Sequence, residues 1–292
     1  MSKVVLSNTA VSVTIDTLGA EMVSMRDAQG VERLWEGNPA VWKSHAPVLF
    51  PVCGGLKEDR YTLDGKSYPM AKHGFAKTRE FLVETQTADG VTMVLRADEE
   101  TRKGFPFAFT LRVRYALEGS RVCVEYIVSN EGDRTMYFSM GAHEGYACPE
   151  GIEAYEIVFD ETENARSYVL HGNLLGEETR DTLRDTRVFP LKYEDFAVDA
   201  LVFLDVRSRG VTLRSRAHGR TIRVDFPGFA YFLLWTKPNA PYICIEPWCG
   251  IQDFEGTSFD LTQKRGILSL PAGETLTRTH TITLFSSEGV SV

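Results

Sequence analysis

Apolar and polar residues alternate with a period of two along much of this chain, the repeat of a strand that buries one face. Val11, Val13 and Ile15 alternate with Ser12, Thr14 and Asp16. Residues 109–115 read Phe-Thr-Leu-Arg-Val-Arg-Tyr, Val122, Val124, Tyr126 and Val128 repeat the pattern, and residues 279–285 close the chain in the same style. Between these runs lie turn signals: Asp64-Gly65, Asp89-Gly90, Glu118-Gly119, Glu131-Gly132, Arg209-Gly210 and Ala272-Gly273. Strands separated in this way predict an all-β fold, an antiparallel sandwich or barrel. No segment carries the sustained apolar stripe of a packed helix, and only short turns are expected, around residues 39–42, 193–197 and 258–264. No Pro-, Gly- or Ser-rich linker divides the chain and no repeat recurs, so residues 1–292 are expected to form one β domain. Residues 161–185 are the most polar and are expected as a loop or excursion.

One strand departs from the pattern. In Pro241-Tyr-Ile-Cys-Ile-Glu246-Pro-Trp-Cys-Gly250 a single carboxylate ends an apolar run. Strand alternation puts Tyr242, Cys244 and Glu246 on one face and Ile243 and Ile245 on the other. A charge there is costly unless it is paired, exposed or used. Two histidines also stand in unusual settings. In Met136-Tyr-Phe-Ser-Met-Gly-Ala-His143, a period of two gives Met136, Phe138, Met140 and Ala142 a core face. Tyr137, Ser139 and Gly141 then lead up to His143 on the other, as they would where something sits against the strand. His73 precedes Gly74, which implies tight backbone. Taken singly, His143 is also explained as a hydrogen-bonded strand-end residue and His73 as a loop residue. Of the four tryptophans, Trp235 reads as core, while Trp248 follows the carboxylate and could form an aromatic wall for a sugar.

Composition narrows the options. The chain is 43% hydrophobic and 25% charged, ordinary for a globular protein with an ample core. Its net charge of −8 argues against nucleic acid as a partner. The N-terminus lacks an apolar signal segment and no run is long enough to span a membrane, so a cytoplasmic protein with five reduced cysteines is expected. There is no phosphate loop, no Gly-x-Gly-x-x-Gly and no nucleophile elbow. The six histidines (His45, His73, His143, His171, His218 and His280) include no His-x-His or His-Glu-x-x-His, and no metal or other cofactor is expected.

Taken in order, five stretches resemble the aldose 1-epimerase (galactose mutarotase) superfamily, and within it the LacX-like branch. They are Ala46-Pro-Val-Leu-Phe-Pro-Val-Cys-Gly54, Tyr68-Pro-Met-Ala-Lys-His73-Gly-Phe-Ala-Lys77, Gly141-Ala-His143, Val198-Asp199-Ala-Leu-Val-Phe203, and the segment from Trp235 to Gly250. The resemblance implies a large antiparallel β-sandwich (the galactose mutarotase-like supersandwich) and a cofactor-independent mutarotase acting on an aldose. It implies Glu246 as general base, His143 as general acid, and His73 and Asp199 as residues that hold the sugar. Lys77 and Trp248 are added as substrate contacts. Three positions depart from the branch: Gly55 and Lys77 each stand where arginine is usual, and Glu144 where proline usually follows the histidine. Glu144 would favour an imidazolium if it faced His143, and would be a surface charge if it pointed away. Two alternatives are a hexose-6-phosphate 1-epimerase, with Lys57, Arg60, Lys77 and Arg79 available as cations, and a sugar-binding protein without catalysis. The expected partner is a small sugar, with no nucleic acid or membrane, the protein being a monomer or homodimer.

Overall fold

The computed structural model describes residues 2–217 and 219–285, so His218 lies outside the described residues. Two large antiparallel sheets dominate. The first has nine strands, in the order Thr186–Pro190, Tyr155–Glu163, Gly210–Ser215, Thr221–Asp225, Thr275–Phe285, Arg121–Asn130, Phe109–Glu118, Gly90–Arg96, Leu82–Gln86. The second has six: Glu144–Ala147, Tyr242–Trp248, Tyr231–Trp235, Leu201–Phe203, Arg166–His171, Leu174–Asp181. Lys3–Ser7, Val11–Asp16 and Glu21–Asp27 form a three-stranded sheet, and two hairpin-sized pairs complete the set. The all-β expectation holds.

The period of two decides which face goes where. Leu111, Val113, Tyr115 and Leu117 of the nine-stranded sheet share one buried cluster with Val122, Val124, Tyr126 and Val128. From the six-stranded sheet, Leu201, Phe203, Phe232, Leu234, Ile243 and Ile245 join it. Their alternates, Val202 and Leu233, belong to a second cluster, and Tyr242 and Cys244 to a third, on the opposite face. Each fully buried Leu, Ile or Phe contributes about 1.5–3 kcal/mol of transfer free energy, so this shared layer is the main adhesive between the sheets. A ring cluster of Phe50, Phe75, Phe105, Phe109 and Phe138 closes one end, with neighbouring centroids 5.1–6.3 Å apart.

Turn chemistry follows the sequence. Asp64 (φ 51) and Gly65 (φ 74) make the two-residue hairpin between Arg60–Leu63 and Lys66–Pro69, the positive-φ pair that such a turn requires. Short 3₁₀ turns form at Tyr193–Phe196 and Leu261–Gln263, inside two of the three expected regions, and Asn38 accepts turn hydrogen bonds from Val41 and Trp42 in the third. The one α-helix among the described residues, Glu99–Gly104, was not anticipated; Asp98 and Thr101 form a capping box at its start.

Two expectations need correction. Residues 161–185 are not loop: they contain the end of one strand and the hairpin Arg166–His171/Leu174–Asp181. Its polarity reflects an edge position with one solvated face, where Arg166 pairs with Asp181, while Leu170 and Leu175 point inward. Nor is 136–143 a continuous strand. Met136–Phe138 pairs with Leu268–Leu270, the chain then leaves that partner, and Glu144–Ala147 enters the six-stranded sheet. The expected core face survives this crossing, with Met136, Phe138, Met140 and Ala142 all fully buried.

Candidate active site

The outer face of the six-stranded sheet floors a cleft of about 900 Å³. That is within the size range of small-molecule sites. Glu246, third from last in its strand, projects from the face opposite Ile243 and Ile245, as alternation requires, and is 2% exposed. His143 lies one residue before the neighbouring strand Glu144–Ala147, whose register sets Glu144 opposite Ile245. This register brings His143 Nε2 to 3.3 Å from Glu246 Oε2.

Backbone packing fixes the pair. Leu49 and Gly141 exchange backbone hydrogen bonds, so the segment from Ala46 to Gly54 runs beside the approach to His143. Gly141 is there for space: a Cβ would lie 2.6 Å from Trp248 Cδ1. The Trp248 indole donates to the Ala142 carbonyl at 3.1 Å, which locks its ring against the cleft. His73 takes a left-handed backbone (φ 66), and Gly74 follows it because a Cβ would fall 2.2 Å from the Phe50 carbonyl oxygen. The Gly54 amide donates to His73 Nδ1 at 3.1 Å. Nδ1 therefore carries no proton, and Nε2–H is the donor of the neutral ring. His73 and His143 lie edge to face, centroids 5.4 Å apart.

Electrostatics follow from burial. Desolvation pushes the Glu246 carboxyl well above the usual range; Lys72 opposes this, while Asp199 and Glu144 add to it. Desolvation pushes the His143 imidazole down to about 3. His73 is likewise held well below its ordinary value, by burial first and then by His143 and Lys77. Burial thus favours the neutral form of both histidines and of Glu246.

All six residues singled out from the sequence line this cleft: His73, Lys77, His143, Asp199, Glu246 and Trp248. Asp199, just before Leu201–Phe203, accepts the Ala200 amide at 2.8 Å. Other expectations fail. Trp235 is not core: it faces the cleft, its ring edge-on to Trp42 at 5.4 Å and to His143 at 5.8 Å. Glu144 is neither a partner of His143 nor a surface charge. Being next along the strand it points to the opposite face, is 3% exposed, and meets the fully buried His280 at 3.0 Å. Of the four cations offered for a phosphate, only Lys77 reaches the cleft. Arg60 pairs with Glu58, Arg79 with Asp98, and Lys57 donates to the Glu255 carbonyl.

The structure adds residues that local sequence did not mark. Trp42 stacks on Tyr242 and lies 5.3 Å from His143. Gln252 lines the cleft with its buried Oε1 unpartnered in the protein. Asn173, at the tip of the edge hairpin, packs on Gly55, where a Cβ would lie 2.7 Å from the Asn173 Cβ. Gly55 and the hairpin tip are therefore complementary, and a larger side chain in place of Gly55 would displace Asn173. Gln252 had a faint signal, two residues beyond the matched motif; the others are brought in by tertiary packing.

Among the described residues, His143, Cys244 and Glu246 offer ligand atoms within 4.8 Å of one another, the one group that could share a cation. Burial raises the Cys244 thiol well above its ordinary range, which disfavours the thiolate a soft metal requires. No helix among the described residues is long and apolar enough to cross a membrane.

Similarity to known proteins agrees with this geometry. The aldose 1-epimerase family profile matches residues 2–280. The chain is 34% identical over 260 residues to the plasmid and chromosomal LacX proteins of Lactococcus lactis subsp. lactis, covering 84% of this chain and 87% of each relative. The galactose mutarotase related enzyme of Lactobacillus acidophilus superposes with a TM-score of 0.92 at 32% identity, over 100% of both chains. A galactose mutarotase-like protein from Lactobacillus casei gives 0.92 at 28% identity, over 97% of this chain and 100% of its own. The cleft, its facing carboxyl and imidazole, and these similarities show that the chain belongs to the aldose 1-epimerase family.

Proposed function

We propose that this protein interconverts the α and β anomers of an aldose without a cofactor, Glu246 and His143 moving the two protons. The observation that carries the reading is the 3.3 Å approach of His143 Nε2 to Glu246 Oε2 on the floor of an aromatic-walled cleft. Ring opening removes the proton from the anomeric hydroxyl and delivers one to the ring oxygen as the C1–O5 bond breaks. With Glu246 as carboxylate and His143 as imidazolium, the transfers leave a neutral acid and a neutral imidazole. Rotation about C1–C2 and closure on the other face of the carbonyl return both protons. The total on the pair never changes. Burial favours the neutral form of each. Moving one proton across the 3.3 Å contact produces the reactive ion pair, in which Lys72 favours the carboxylate and opposes the imidazolium. His73 Nε2–H, Asp199 and Gln252 Oε1 offer polar partners to sugar hydroxyls, and Trp42, Trp235 and Trp248 offer faces to its C–H side.

The test is polarimetry on freshly dissolved single anomers. The wild-type protein is expected to speed equilibration, and Glu246→Gln and His143→Ala to lose about 10²-fold or more each. Undiminished rates in both variants would remove the pair from the reaction. A sugar that raises the melting temperature of the wild type without speeding equilibration would leave a binding protein instead.

A further inference from the structure

Among the described residues the His143 ring makes its one polar contact with another side chain at Glu246, 3.3 Å away, and its buried Nδ1 hydrogen-bonds to no other residue. A catalytic imidazole is ordinarily oriented by a group at its second nitrogen. Here the ring rests on packing instead, with Trp42, His73 and Trp235 at centroid distances of 5.3, 5.4 and 5.8 Å. Its place therefore follows the backbone on either side. Before it, that backbone is tied down: the Ala142 amide donates to the Pro247 carbonyl at 3.0 Å, and the Ala142 carbonyl accepts the Trp248 indole at 3.1 Å. After it comes Glu144.

Glu144 opens the strand Glu144–Ala147 opposite Ile245, the chain neighbour of Glu246. Its side chain turns away from the cleft and meets His280 Nε2 at 3.0 Å. His280 is a firm anchor. It is fully buried in Thr275–Phe285, an interior strand of the nine-stranded sheet, with its ring stacked on Tyr126 at 5.7 Å and edge-on to Phe229 at 6.1 Å. The contact is costly, because Glu144 Oε2 and His280 Nδ1 are both buried without a partner. Apolar packing already joins the two sheets, and apolar side chains in place of this pair would join them without that penalty. What the hydrogen bond adds is a fixed distance and direction, which apolar packing lacks.

We propose that Glu144, held by His280, is a positioning residue for anomer exchange: it pins the start of its strand to the nine-stranded sheet and so keeps His143 at reacting distance from Glu246. This role rests on the acid–base reading above. Both residues lie between the sheets, so neither touches the sugar. Glu144 also adds by its charge to the upward push on Glu246. Reach and charge are therefore separated in the test.

Two substitutions in the intact protein do this, with anomer exchange of glucose or galactose, whichever is faster, followed by NMR well below each melting midpoint. Glu144→Gln keeps the reach without the charge, since an amide can accept from or donate to His280 Nε2. Its kcat should stay within about threefold of wild type. Glu144→Asp keeps the charge but is shorter by a methylene. Its kcat should fall about tenfold, with KM changed less than about twofold. The double variant Glu144→Leu, His280→Leu should lose kcat to a similar degree even where its melting midpoint recovers. A Glu144→Asp variant as active as Glu144→Gln, or a wild-type kcat in the double variant, would overturn the positioning role while leaving the mutarotase reading intact. If the wild type exchanges neither sugar, the mutarotase reading fails, and the nitrogen NMR shift of His143 Nε2 reports its contact with Glu246 directly. A shift that moves in Glu144→Asp and holds in Glu144→Gln keeps the positioning role; any other pattern removes it.

Discussion

At the scale of single residues, the site is governed by desolvation. Glu246 and His143 are both nearly sealed from solvent, and burial disfavours the charged form of each, raising one and depressing the other to about 3. The sign of the pH dependence follows. A second proton enters the pair only as the pH falls towards about 3, and the last proton leaves only above the raised value of Glu246. The active one-proton form should therefore persist from about pH 4 up to the raised titration of Glu246, so kcat/KM should fall on the acid side only near pH 3 and on the alkaline side above the ordinary carboxylate range. A pH profile of enzyme-catalysed anomer exchange, corrected for spontaneous mutarotation, measures this. An acid-limb midpoint near the ordinary imidazole value, about 6.5, would show that burial does not control His143.

At the scale of elements, the cleft depends on where strands end and hairpins fold over. The hairpin Arg166–His171/Leu174–Asp181 brings Leu170 and Asn173 to the cleft, and Gly55 leaves room for its tip. Gly55→Ala forces a Cβ against the Asn173 Cβ (2.7 Å) and carbonyl oxygen (2.9 Å). A shift costing about 1 kcal/mol would raise KM about fivefold with a smaller change in kcat. Steady-state kinetics on the preferred sugar test this, and an unchanged KM would show that the hairpin tip makes no contribution to binding. The alternation that placed Tyr242, Cys244 and Glu246 on one face was legible because a strand has one period. The hairpin was not, because its edge position leaves an exposed face that looks like loop, with only Leu170 and Leu175 turned inward.

At the scale of the whole molecule, the two sheets are joined by apolar packing and by a polar link between them. Glu144 in the six-stranded sheet meets His280 in the nine-stranded sheet at 3.0 Å, and the His280 ring stacks on Tyr126 at 5.7 Å. Removing one partner strands the other: Glu144→Ala should cost about 3 kcal/mol, read as a lowered midpoint in urea unfolding. The double variant Glu144→Leu, His280→Leu should lose less than the sum of the two single changes. Strict additivity would show that the contact contributes nothing.

The sequence by itself determined the all-β character, most strand faces, the turn positions and, through motif resemblance, Glu246, His143, His73 and Asp199. These are local matters: side-chain period, turn conformation and residues held in short motifs each leave their mark within a few positions. Tertiary structure alone decided that Trp42 and Trp235 wall the cleft and that Glu144 turns inward to His280. Each of those depends on strand register and on which loops close over a sheet. Packing of one sheet on the other couples residues far apart in the chain, here Glu144 to His280 across 136 positions. No local pattern encodes such a pairing.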